Sequence, residues 1–335
     1  MIPTTAASEP RSLATLVDTI VPYGSIARPD HWFKNVFMIG GVVLAAFYSP
    51  TIIEAFPWIK LVLGLVAVCL VASSNYVINE ILDAPKDIGH PVKRMRPIPS
   101  GRVKFPIAYA EWIVLGIVGT FIGWLVNMPF FLSAVALWVM GFFYNVPPFR
   151  TKEVPYLDVV SESVNNPLRL LMGWFVVTPE IVPPVSVLAA YWMVGAFFMA
   201  SKRFAEYRLI NDKAAATAYR SSFRHYNEER LLVSMFFYTA ACALMLGVFI
   251  VRYKLELLLS VPLLAGFFSY YLHVTFKENS PVQNPEHLYK QYGLMIYLAV
   301  TVVIFFGLLF VEVPALYELF NVTPSQLKSL WTIGS

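Results

Sequence analysis

The chain has 335 residues, of which 58% are hydrophobic and only 14% charged, with a net charge of +4. A soluble domain carries about 25% charged residues. So sparse a charge complement excludes an ordinary water-soluble globule and leaves lipid as the remaining solvent. The two cysteines, Cys69 and Cys242, stand alone inside apolar runs, which argues against a disulfide framework or a CxxC zinc site.

Residues 1–30 read as a polar cytosolic leader with one weakly amphipathic stretch around 13–21 and no compact signal-peptide core. Beyond it, apolar segments of bilayer-spanning length, about 20 residues each, are predicted at 33–50, 57–79, 107–126, 129–148, 165–182, 186–204, 232–251, 255–275 and 291–312. Helices are the fold that lipid permits for such runs. The expected architecture is therefore all-α and polytopic, with about nine transmembrane helices in a bundle capped by cytosolic loops. One transmembrane domain covers 31–315, and 316–335 form a C-terminal tail. The fifth segment is the weakest, because it begins inside the polar stretch 161–169.

Lys and Arg crowd the connections at 80–106 and 202–230, with Arg150, Lys152, Lys277 and Lys290 in the shorter loops on the same side. The opposite loops carry little beyond Arg252 and Lys254. The positive-inside bias puts the long loops and the N-terminus in the cytosol of a cell-membrane protein. Nucleic-acid binding is not expected, and a homo-oligomer is compatible with the sequence.

The first loop holds chemistry. Asn79, Asp83 and Asp87 recur every four residues, a spacing that stacks them on one helix face. Carboxylates at a membrane boundary are costly unless compensated, and magnesium shares carboxylate oxygens with substrate phosphates. Pro85 disfavours helix at Ala84, so the helix is expected to fray near Asp83 and leave Asp87 on a turn. Lys93, Arg94 and Arg96 follow among prolines. Acidic groups for a metal beside basic groups for phosphate answer the charge of a polyphosphate leaving group. A loop that only fixes topology is the bland alternative for the basic residues.

The second loop places Lys202, Arg203 and Glu206 at the cytosolic end of a span, with Arg220, Arg224 and Tyr226 following. These residues suit phosphate and sugar binding, or else an interfacial helix against anionic lipid. Asn165, Asn166 and Arg169 enter a span, where polar groups face a bundle interior; Arg169 reaches a phosphate or snorkels to the interface. Asp158 and Glu162 either join the same site or pair with Arg169.

The pattern Asn79-x-x-x-Asp83-x-x-x-Asp87 resembles the first aspartate-rich motif of the UbiA superfamily of intramembrane prenyltransferases. Its continuation, His90-Pro-x-Lys93-Arg94-x-Arg96-Pro-Ile-x-x-Gly101, is similar to the branch that contains decaprenyl-phosphate phosphoribosyltransferase, an activity of cell-wall biosynthesis. Arg28-Pro-x-x-Trp32-x-Lys34-Asn35, Tyr144-Asn145, Leu157-Asp158-Val159, Lys202-Arg203-x-x-Glu206 and Pro285-Glu286 extend the resemblance over about residues 26–312. Glu80 stands where members often have Asp, and the second loop lacks the paired aspartates of the aromatic prenyltransferases.

The resemblance implies a UbiA-like catalytic bundle that moves 5-phosphoribose from phosphoribosyl pyrophosphate to a polyprenyl phosphate with Mg2+. Asp83, Asp87 and Asn79 would hold the metal, and Asp83, Asp87, Lys93 and Lys202 would be catalytic. Substrate contacts would come from Asn79, Glu80, Arg94, Arg96, Lys34, Asn165, Arg169, Arg203, Glu206, Arg220, Arg224 and Tyr226. Membrane lipids are the remaining partners. The alternatives are an isoprenyl transfer from a diphosphate to an aromatic or other acceptor and, in another class, a membrane transporter.

Overall fold

The computed structural model describes residues 13–89, 93–323 and 331–332. After α1 (Leu13–Ile26) and a 3-10 segment (Pro29–Val36) come α2 (Phe37–Tyr48), α3 (Trp58–Asp87), α4 (Phe105–Val126) and α5 (Met128–Asn145). The second half holds α6 (Leu157–Ser163), α7 (Asn165–Val177), α8 (Val185–Ile210), α9 (Lys213–Tyr219) and α10 (Glu228–Tyr253). Then follow a 3-10 turn (Leu255–Ser260), α11 (Val261–Thr275), α12 (Tyr292–Leu309) and α13 (Pro314–Leu319). A two-residue parallel pair joins Val311–Glu312 to Trp331–Thr332.

Among the described residues, seven helical segments are long and apolar enough to cross a membrane: α3, α4, α5, α8, α10, Leu255–Thr275 and α12. The all-α polytopic expectation holds, and the first and fifth expected segments are also helical. There α2 and α7 have 12 and 13 residues, and each is preceded by a further helical piece, Pro29–Val36 and Leu157–Ser163. Asp30, His31, Lys34 and Asn35 wind as a 3-10 segment before α2, while α7 starts at Asn165 as expected and ends at Val177, five residues before the expected end of the fifth span.

The two short helices pack on each other through glycines. A Cβ on Gly41 would lie 2.0 Å from the Leu170 carbonyl oxygen, and one on Gly173 would lie 1.8 Å from that of Met38. Lipid provides no hydrophobic drive between helices, so close backbone approach at small residues supplies the packing energy. Around this contact Met38, Val42, Val71, Phe130 and Trp174 form one buried core. A second core joins α8, α10, α11 and α12 through Phe197, Phe204, Met235, Phe267 and Leu294. Outward-facing Phe236, Phe237, Ile296 and Val303 are exposed, as lipid-facing side chains of a spanning helix must be.

Pro85 does not end α3. The helix continues to Asp87, and Ile88 N still donates to Ala84 O at 3.1 Å. The expected fraying at Asp83 is therefore corrected: Asn79, Asp83 and Asp87 all sit on regular helix. The turn beyond the proline keeps its hydrogen bond, and Asp87 is held by an ion pair described below. His90 of the first motif lies outside the described residues.

Candidate active site

The acidic residues of α3 are met by cations from other elements. Asp83 Oδ1 accepts from Lys152 Nζ at 2.6 Å and from Arg150 Nη2 at 3.0 Å. Asp87 Oδ2 accepts from Arg96 Nη1 at 2.6 Å. Glu80, buried, accepts from Ile98 N at 3.2 Å and lies 3.9 Å from Arg28. Asn79 donates to Asn145 Oδ1 at 2.6 Å, and Lys152 donates to that same oxygen at 3.0 Å. Arg150 also bonds Glu153, which pairs with Lys86. Burial pulls the Lys152 ammonium down to about 8, with Asp83 opposing the shift.

The second motif forms around a buried guanidinium. Arg203, 1% exposed, donates to Asp158 at 3.1 Å, to Glu162 at 3.2 Å and to Glu206 at 3.3 Å. Tyr144 donates to Glu162 at 2.7 Å. Tyr226 donates to Asp158 Oδ1 at 2.7 Å while accepting from Tyr156 N at 2.6 Å. A lone buried charge is costly, so three carboxylates and these hydroxyls make the pocket tolerable.

Lys93 bridges the two groups. Its ammonium lies 4.4 Å from the Tyr219 ring centroid, a cation–π distance. Burial holds it below its ordinary range, with Asp87 and Glu206 opposing and Arg96 and Arg220 adding to the effect. Lys93 is thus within electrostatic reach of both motifs. Arg220 joins them with its Nε buried and without a hydrogen-bond partner.

Of the expected site residues, Asn79, Asp83, Asp87, Lys93, Arg96, Arg203, Glu206 and Arg220 gather at one end of the bundle. Lys202 is half-buried beside them. Arg94 and Arg224 are exposed. Lys34 is half-buried, 5.9 Å from the Phe33 ring. Asn165 and Arg169 belong to a different cluster: Arg169 Nε donates to Asn35 Oδ1 at 2.9 Å, and its Nη1 reaches the Asn165 carbonyl at 3.5 Å. Tyr226 is buried, its hydroxyl held between Asp158 and the Tyr156 amide. Arg150 and Lys152 were counted only as topological charges; their place just after the Tyr144-Asn145 motif was the signal that could have found them.

Among the described residues no three His, Cys, Asp or Glu side chains are grouped to hold a metal ion. The donor chemistry nevertheless fits magnesium. The cation contacts of Asp83 fall on Oδ1 and that of Asp87 on Oδ2, and Asn79 engages through its amide nitrogen. Mg2+ is commonly held by one or two carboxylates with substrate phosphates and water completing its shell.

A family model described as the UbiA prenyltransferase family matches residues 36–294. The chain belongs to that family. As a UbiA-family protein with seven spanning helices it is an integral membrane protein. It is 29% identical over 203 residues to the decaprenyl-phosphate phosphoribosyltransferase of Corynebacterium glutamicum, covering 58% of this chain and 57% of that one. It is also 29% identical over 208 residues to the protein of the same name from Mycolicibacterium smegmatis, covering 61% and 62%. The matches thus span about three-fifths of those relatives' length. A UbiA homolog from Archaeoglobus fulgidus, solved bound to DMAPP and Mg2+, superposes with a TM-score of 0.64 at 21% identity, over 86% of this chain and 99% of that one. That likeness establishes the fold.

Proposed function

We propose that this UbiA-family protein transfers 5-phosphoribose from phosphoribosyl pyrophosphate to a polyprenyl phosphate, with Mg2+, at the cytosolic face of the membrane. The supporting observation is the matching of the α3 carboxylates by cations from separate elements, Arg96 for Asp87 and Arg150 with Lys152 for Asp83. Such cations have a second use once a polyanion arrives, since guanidinium and ammonium groups transfer readily to phosphate oxygens. The resemblance to the phosphoribosyltransferases named above agrees with it.

In this reading Asp83, Asp87 and Asn79 would hold the metal, which would supply charge neutralisation for the departing pyrophosphate. Lys93, Arg96, Lys152 and Arg220 bind phosphate oxygens. The lipid phosphate oxygen forms the new bond to the anomeric carbon while the bond from that carbon to pyrophosphate breaks and its electrons leave with the pyrophosphate. A phosphate monoester is largely ionised at neutral pH, with a second pKa of about 6. No strong general base is needed, and catalysis is positioning and electrostatics.

The second reading is isoprenyl transfer from a diphosphate, which the DMAPP-bound fold neighbour favours. Purified protein supplied with Mg2+, labelled phosphoribosyl pyrophosphate and a polyprenyl monophosphate decides between them. A lipid-extractable labelled product, absent in Asp83→Asn, is the expected result. No product from folded protein, with turnover of an isoprenyl diphosphate instead, would establish the second reading.

A further inference from the structure

Asp158, Glu162, Asn165 and Arg169 follow one another at intervals of four, three and four residues along α6 and α7. Val164, between the two helices, keeps helical backbone angles, so the four share one helical face. Asp158 and Arg169, at its two ends, are 0% and 8% exposed. Glu162, between them, keeps 35% of its side chain open. The opening is therefore a recess within the bundle rather than part of its outer surface.

This recess holds acceptors with capacity to spare. Among the described residues both hydrogen bonds to Glu162, from Tyr144 at 2.7 Å and from Arg203 at 3.2 Å, fall on Oε2. A carboxylate has about four acceptor positions, so Oε1 is left for a ligand. Burial alone would raise this carboxylate, but Arg203 and Lys202 hold it below its ordinary range, so it stays an ionised acceptor. One turn further on, Asn165 Oδ1 is buried with no hydrogen-bond partner, a state that calls for a donor. An ionised phosphate brings only acceptors, and an isoprenyl chain brings neither donor nor acceptor. Two neighbouring hydroxyls bring two donors.

We propose that Glu162 and Asn165 form the ribose subsite, their oxygens accepting hydrogen bonds from the two ring hydroxyls of the phosphoribosyl donor. The assignment rests on the function proposed above. Arg220 connects it to the phosphate end of the site, being within electrostatic reach of Glu162 and also of Lys152, the ammonium bonded to Asp83. Tyr144 and Arg203 are positioning residues here: they hold the carboxylate through Oε2 and leave Oε1 to the sugar. Glu162 thereby selects the donor. An isoprenyl chain in the same recess would strip water from a carboxylate without replacing its hydrogen bonds, which is costly.

The test uses full-length protein in proteoliposomes with Mg2+ and a polyprenyl phosphate, and three donors: phosphoribosyl pyrophosphate and its 2-deoxy and 3-deoxy analogues. Glu162→Ala should lower kcat/KM for the natural donor about 30-fold and Asn165→Leu about tenfold, each leaving KM for the lipid unchanged. Wild type should lose a similar factor when the matching hydroxyl is absent. Each variant should then be indifferent to that hydroxyl, within about twofold. Should Glu162→Ala fail to fold, Asn165→Leu, which removes an acceptor that holds no partner, decides with the same donors. Losses that multiply, variant by analogue, or equal rises in KM for donor and lipid would overturn the subsite. Phosphoribosyl transfer with multiplying losses removes the subsite and keeps the function; no transfer from any of the three donors, with an isoprenyl diphosphate consumed instead, removes both.

Discussion

Lys152 and Asp83, 69 residues apart in sequence, are joined by a 2.6 Å charge-assisted hydrogen bond. The bond ties the loop after α5 to the first acidic motif and makes that loop part of the candidate active site. If Asp83 holds the metal and Lys152 a phosphate, each substitution removes an electrostatic contribution to the transition state. Asp83→Asn and Lys152→Met should each lower kcat by about 100-fold or more. The double variant should fall by less than the product, because the two groups share one interaction. Initial rates on matched amounts of folded protein check this.

Chelation of divalent cations should abolish turnover, and added Mg2+ should restore it. Asp87→Asn should raise the Mg2+ concentration for half-maximal rate about tenfold or more while protein folding, followed by thermal shift, changes little. Equal metal requirements in variant and wild type would remove Asp87 from the metal site.

Arg203 serves three carboxylates at once, one of them the fully buried Asp158. Arg203→Leu leaves these charges unanswered and should cost about 3–5 kcal/mol. The measurement is thermal unfolding in detergent. Tyr226→Phe removes one hydroxyl bonded to Asp158 and should cost about 1–3 kcal/mol.

Gly173→Ala drives a methyl into the Met38 carbonyl, with 1.8 Å between ideal Cβ and oxygen. Overpacking of this kind costs about 1–3 kcal/mol, more where backbone must move. Gly247, on α10, has nothing within 4 Å of its ideal Cβ, so Gly247→Ala should be neutral or slightly stabilising. Thermal shift of the two variants side by side tests the contact.

Orientation is open to a direct check. Ser100 is exposed at the site end and Thr51 is exposed beyond the opposite end of α2. In a background lacking Cys69 and Cys242, Ser100→Cys should react with an impermeant thiol reagent only after cells are opened. Thr51→Cys should react in intact cells. The reverse pattern would put the candidate site outside the cytosol.

The seven long spans were legible because bilayer thickness imposes their length on the sequence. The segments of α2 and α7 were legible too, but the 3-10 winding of the polar residues before α2 was not, since hydropathy registers apolar length and not the kind of helix. Pro85 misled for a similar reason. Its local preference against helix at Ala84 is real, yet α3 runs on because Asp87 is anchored by Arg96. The acidic and basic residues of both motifs could be named from spacing. Their pairing could not, because Arg150 and Lys152 reach Asp83 only through the fold. The isolation of Arg169 from the other cations was equally invisible, being set by the partner Asn35, 134 residues away.

The reciprocal glycine contact between α2 and α7 also bears on how the chain is made. Each helix meets the other's backbone at a glycine, and α2 leaves the ribosome well over a hundred residues before α7 does. The first apolar segment therefore gains its closest packing partner only when α7 has been made. Insertion of the N-terminal part is then coupled to synthesis of the middle of the chain. Truncations ending before α7 should leave α2 accessible to protease in microsomes, while chains that include α7 should protect it.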